Sequence, residues 1–139
     1  MVHLIIGNKG KGKTKYLLDK VNSEIRETPG NICYLDKSSK HMFDLNNRIR
    51  LINVSDFRID NTDQFIGFIS GIISQDHDLV QMYFASFIKI AKLEGKDITD
   101  TIKRIQKISD TFKVDFFLSI SIDEADVPDE FKELIEVTL

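Results

Sequence analysis

Short apolar runs alternate along this chain with segments whose apolar residues recur every three or four positions. Runs of the first kind predict buried strands, and segments of the second kind predict helices. Val2-His3-Leu4-Ile5-Ile6 is an apolar run and reads as a first strand. Residues 15–27 follow with helical spacing, with Tyr16, Leu17, Leu18, Val21 and Ile25 on one side. Pro29-Gly30-Asn31 breaks that helix. Residues 32–36 predict a second strand, residues 37–47 a polar irregular stretch, and residues 48–54 a third strand. Asn61 starts a helix, with Gln64 forming a partial capping box. Phe65, Ile66, Phe68, Ile69, Ile72 and Ile73 make that helix apolar around most of its circumference, so it should be well buried.

Asp76-His77-Asp78 predicts a turn, residues 79–84 a fourth strand, and residues 87–93 a short helix ending at Gly95. Asp97 caps the clearest helix, in which Ile98, Ile102, Ile105, Ile108 and Phe112 fall on one face. Residues 116–122 predict a fifth strand. Pro128 at a first helical position, followed by Asp129 and Glu130, predicts a closing helix with Phe131, Leu134 and Ile135 inside.

Strands alternating with helices predict an α/β fold, here a three-layer sandwich around a mainly parallel, five-stranded sheet, in a single domain over 1–139. Ligands of such sheets sit at the carboxyl ends of the strands. That rim would carry residues 7–14, residues 36–40, Ser55-Asp56, Ala85-Ser86 and Asp123-Glu124.

The first strand runs directly into Gly7-Asn8-Lys9-Gly10-Lys11-Gly12-Lys13-Thr14, a glycine, four residues, then Gly-Lys-Thr. Strand, glycine-rich loop and helix are the context in which this spacing binds phosphate. A loop around a polyphosphate must turn its backbone N–H groups inward, which takes positive φ and close approach, and Gly7, Gly10 and Gly12 permit both. The N-terminus of the next helix adds partial positive charge at the same point. Lys13 is placed to reach the outer phosphates and the Thr14 hydroxyl to ligate Mg²⁺. Lys9, Lys11 and Lys15 are further cations at the loop, available to phosphate or simply solvated. The plain alternative is a glycine-rich strand-to-helix turn beside a chance Gly-Lys-Thr.

Composition changes this picture in few places. The 139 residues suffice for one domain, and 42% apolar with 29% charged residues is ordinary for a globular protein. A net charge of −3 argues against duplex nucleic acid as a partner, so the lysines at the loop form a focused anion site on a mildly acidic body. Cys33 is the single cysteine, so no intrachain disulfide forms, and within Ile32-Cys33-Tyr34-Leu35 it reads as a small core residue. No apolar run approaches a membrane span, and the N-terminal run reads as a strand rather than a signal peptide. A cytoplasmic location without membrane contact is expected by elimination.

Nucleotide hydrolysis usually also needs an acid at the end of a neighbouring strand, to hold Mg²⁺ through water and orient the attacking water. The fourth strand ends in Ala85-Ser86, without a carboxylate. The fifth ends in Asp123-Glu124, which makes Asp123 and Glu124 the candidate acids and Asp123 a candidate Mg²⁺ ligand beside Thr14. Their other reading is an acidic solvated turn. Asp36 and Ser38 stand past the second strand, where a substrate, base or sugar could reach them. His3, His41 and His77 are too far apart to suggest a metal cluster, and Arg48, Arg50 and Arg58 could serve a neighbouring subunit's phosphate.

On Gly7 to Thr14 the chain resembles the P-loop nucleoside triphosphatases, and the order of its elements is similar to their RecA-like branch. More loosely it resembles small bacterial ATP-binding proteins labelled as PilT-type twitching-motility proteins. The resemblance implies ATP with Mg²⁺, bound through Gly10, Gly12, Lys13 and Thr14. It does not extend to a pilus motor, whose additional domain and further acidic and histidine boxes have no counterpart here. No Asn-Lys-x-Asp sequence is present to read guanine, and Ala85 departs from the usual acidic end of the fourth strand. Three functions follow. The first is an ATP-binding protein, at most a slow Mg²⁺-dependent ATPase, working through a protein partner or self-association. The second is a kinase of a small metabolite or nucleoside, and the third a degenerate module that binds nucleotide without turnover, or binds nothing, and serves as a structural or regulatory subunit.

Overall fold

The computed structural model describes residues 1–139. It is α/β, and all strand pairings in its single sheet are parallel. The strands are β1 (Val2–Ile6), β2 (Asn31–Asp36), β3 (Arg50–Asn53), β4 (Leu79–Phe84), β5 (Asp115–Ile120) and β6 (Ile135–Thr138). The helices are α1 (Lys13–Glu27), α2 (Thr62–Ser74), α3 (Phe87–Ile90) and α4 (Thr99–Phe112). Across the sheet the strands run β3-β2-β4-β5-β1-β6.

Helices cover both faces, which is why the central strands are apolar throughout rather than alternating. Val2, Leu4 and Ile6 of β1 join a 27-residue core with Phe65, Ile69 and Ile73 of α2 and Ile102 and Ile105 of α4. Ile5 points the other way, into a 10-residue core with Leu17, Val21 and Ile25 of α1. One long helix thus covers that face, and the β2–β3 loop extends the cover: Asn22 on α1 donates to the Asp44 carbonyl at 2.8 Å and Arg48 donates to the Ile25 carbonyl at 3.2 Å.

Local signals behave as physics requires. The Asn61 side chain accepts from Gln64 N–H at 2.9 Å and so caps α2. Gln64 reaches back one residue further than a strict capping box, accepting from Asp60 N–H at 2.7 Å. Asp97 accepts from Thr99 N–H at 2.8 Å at the start of α4. The side-chain and backbone hydrogen bonds from Thr99 hold its carboxyl below the usual range.

The sheet has six strands, not five, and the expected closing helix is absent. After Pro128 the chain makes a 3-10 segment over Asp129–Leu134 and then β6, which pairs with β1 through Leu4↔Ile135, Ile5↔Val137 and Ile6↔Thr138. Pro128, Asp129 and Glu130 open a helical turn in either case. What ends it is the run Ile135-Glu136-Val137-Thr138, with β-branched residues at 135, 137 and 138, beside an edge of β1 that would otherwise be unpaired. No helix is long and apolar enough to cross a membrane.

Candidate functional site

The chain leaves β1 toward the α1 face and leaves β5 toward the opposite face, where Val127 and Phe131 are buried. Connections that part in this way open a crevice at the carboxyl ends of the strands. A cavity of about 550 Å³ lies there.

One wall is the glycine-rich loop. Gly10 and Gly12 have φ of 84° and 93°, left-handed values that a β-carbon disfavours, and nothing approaches either Cα closely enough to demand glycine for space. They turn the chain so that α1 begins at the cavity with Gly12 at its cap and no side-chain cap, leaving first-turn N–H groups for an external acceptor. Lys13, 8% exposed, lines the cavity floor and donates from Nζ to the Asn8 carbonyl at 3.1 Å. Burial lowers its pKa from the ordinary lysine value, so an entering anion would be attracted by a poorly solvated ammonium. Lys9 and Thr14 line the same space and are exposed.

The opposite wall comes from β5 and from the segment after β4. Ser119 and Ser121 supply hydroxyls beside the loop, because Ile5↔Ser119 is a register pair and places the end of β5 next to that of β1. Beyond Ala85 the chain turns sharply at Ser86 (φ 52°) into α3, and again at Lys92 (φ 61°). Phe87 anchors this segment, fully buried against Phe65 and Phe84 with ring centroids 6.2 and 6.1 Å away. The anchor holds Lys89 and Glu94 at the cavity, and Lys37 reaches it from the end of β2.

The placement of the sequence candidates is therefore uneven. Lys9, Gly10, Gly12, Lys13 and Thr14 come together at the cavity. Asn8 takes part through its carbonyl. Lys11 and Lys15 do not line it, and Lys15 is paired with Asp19 at 2.8 Å. Gly7 (φ 154°) is packed against the last residue: a Cβ there would lie 2.8 Å from the Leu139 carbonyl oxygen. Of the two sequence candidates for the strand beside β1, β4 and β5, it is β5 that pairs with it, which directs attention to Asp123 and Glu124, yet neither lines the cavity. β5 ends at Ile120, and after three intervening residues the chain enters an exposed 3-10 turn, Glu124–Asp126. Glu94 is the only carboxylate among the lining residues. In the sequence it follows an amphipathic segment, and no motif spacing marks it.

Asp36 is a second carboxylate at the rim, buried, on the α1 face of the sheet. Burial raises its pKa, partly opposed by the hydrogen bond it accepts from Lys37 N–H at 2.7 Å. Ala85 N–H donates to the Leu35 carbonyl at 2.9 Å, so the acid-free end of β4 lies directly beside Asp36. The three histidines are apart: His3 stacks on Phe117 at 4.6 Å, His41 pairs with Asp44 at 3.0 Å, and His77 is exposed in the turn before β4. No group of three or more His, Cys, Asp or Glu side chains is disposed to hold a metal by itself.

No protein-family model matches this chain, and no curated protein matches it.

Proposed function

We propose that the chain is a P-loop nucleotide-binding protein of the RecA-like kind that takes ATP with Mg²⁺ in the cavity at the end of β1, in the cytoplasm, and signals its nucleotide state to a partner. The observation that carries this reading is Lys13: a largely buried residue whose ammonium donates to the Asn8 carbonyl, at the foot of a glycine loop and at an uncapped helix start. Four lysines line the cavity against one carboxylate, which suits the charge of a triphosphate. Lys13 would exchange Asn8 for the outer phosphates, and the α1 N–H groups would take the inner ones.

Magnesium fits this donor set. Mg²⁺ keeps several waters and takes one or two protein oxygens beside substrate phosphates, so the exposed Thr14 hydroxyl is sufficient without an acidic cluster. When bound, it would neutralise charge on the phosphates. Glu94 is the residue best placed to orient a water, from a loop rather than a strand end. Turnover would accordingly be slow. Ala85, buried at the end of β4, favours the stricter reading in which nucleotide is bound and not hydrolysed.

The test is thermal melting with and without ATP and Mg²⁺. Stabilisation that disappears in Lys13→Ala supports the reading, since a hydrogen bond to a charged group is worth about 1.5–3 kcal/mol, or roughly 10- to 100-fold in affinity. No shift at millimolar ATP rejects it. Phosphate release without any acceptor separates the slow ATPase from the non-hydrolysing module.

A further inference from the structure

A second cavity, of about 270 Å³, adjoins the first and shares Lys37 and Lys89 with it. Its floor is apolar, made by Val54, Ile59 and Ile90, all buried. Around the mouth stand Lys37, Lys89 and Lys92, with no carboxylate among the lining residues. None of these three lysines takes part in any ion pair of the structure. Phe57 completes the wall, 52% exposed, with one flank on Phe68 at 5.1 Å between centroids.

We propose that this cavity is a binding site for a small organic phosphate, a phosphomonoester whose ring or other apolar portion rests on Phe57 while the phosphate is held by Lys37, Lys89 and Lys92. Three ammonium groups outside any ion pair, of which Lys37 also acts on the buried Asp36 and Lys37 and Lys89 are shared with the first cavity, suit a phosphate, at about −1.5 to −2 near neutral pH, better than a single carboxylate. The volume lies just below the range of small-molecule sites, roughly 300–1,000 Å³, which sets the scale of the ligand. A nucleic acid strand fits poorly, because the body of the chain carries a net charge of −3 and the apolar floor closes the cavity.

Both walls are fixed before a ligand arrives. Asn53 accepts from Ser55 N–H at 3.1 Å and from Ser55 Oγ at 2.6 Å, and Phe57 N–H donates to the Val54 carbonyl at 3.1 Å. Across the cavity, Thr62 Oγ1 donates to the Ala91 carbonyl at 2.8 Å, which ties the Lys92 turn to the start of α2. Such preorganisation reduces the ordering cost of binding. That the ligand has a nucleotide as its neighbour rests on the P-loop reading; that it binds does not.

The experiment is calorimetric titration of phenyl phosphate into the full chain, alone and with saturating ADP and Mg²⁺. Binding is expected in both conditions. Lys92→Asn, which retains a residue tolerant of the left-handed backbone at that position, should weaken it at least about tenfold, as should Lys89→Gln. Phe57→Ser should weaken phenyl phosphate but not inorganic phosphate. Circular dichroism melts show whether each variant is folded, and the two lysine variants stand in for each other. The proposal is overturned by absence of binding, by displacement of phenyl phosphate by ADP, by indifference to both lysine substitutions, or by inorganic phosphate binding equally tightly. Lys92-dependent binding of phenyl phosphate by a chain that ignores ADP would leave the second site standing and remove the nucleotide reading instead.

Discussion

Gly7 and Leu139 meet at the end of β1: Leu139 N–H donates to the Ile6 carbonyl at 2.9 Å, and its carbonyl oxygen occupies the space a Gly7 side chain would need. The first glycine of the loop is thus fixed by Leu139, just past β6. Gly7→Ala must displace the chain end and hold a strained φ, at a cost of about 1–3 kcal/mol. Gly10→Ala meets no atom within 4 Å and carries the φ penalty alone. Urea melts should therefore rank Gly7→Ala below Gly10→Ala in stability; equal losses would show that the contact with Leu139 does not matter.

Glu94 and the Asp123-Glu124 pair make opposite predictions for turnover. Of these acids only Glu94 lines the cavity, so Glu94→Gln should lower any phosphate release by about a hundredfold or more, the scale of a lost general base. Asp123→Asn combined with Glu124→Gln should leave the rate within about twofold. Loss of activity in the double variant alone would mean that the 121–126 turn folds over the nucleotide.

His3 gives the stability a pH dependence of defined sign. Burial lowers its pKa below the ordinary 6.5, against the opposing pull of Glu136 and then Asp115. Between the lowered value and 6.5 the unfolded chain binds more protons than the folded one, so stability rises with pH across that window. The contribution is complete above 6.5 and is lost as pH falls through the folded value. Melts in steps between about pH 7.5 and 5 should show this slope, and His3→Gln should flatten it above the range where carboxylates titrate. An unchanged slope in the variant would assign the effect elsewhere.

Cys33 should be inert in the native protein. Burial in β2 pushes its thiol up to about 11, so at pH 8 only about a thousandth is thiolate. A thiol reagent should label it at the rate of opening of the central sheet, rising with urea in step with unfolding. Immediate labelling in buffer would contradict its place between β3 and β4.

The parts of this molecule visible from sequence are those decided by neighbours in the chain. β1, the glycine loop, the Asn61 cap and the Ile98–Ile108 face each depend on residues a few positions apart, whereas Phe112, expected on that face, is exposed. The fate of residues 135–138 was not local, since the choice between helix and strand was made by the open edge of β1. Glu94, Lys89 and Lys92 were hidden for a related reason. Their convergence depends on left-handed turns at Ser86 and Lys92, and neither residue type announces such a turn as glycine does. Asp123-Glu124 stands out by following an apolar run, while the register Ile6↔Ile120 ends β5 too early to deliver the pair.

β1 lies between β5 and β6, both from the far end of the sequence. The glycine-rich loop therefore has no rigid base until the remainder of the sheet has closed around its strand. Such long-range closures are slow to assemble. In refolding, competence to bind should be the last property recovered, trailing the helical signal instead of accompanying it.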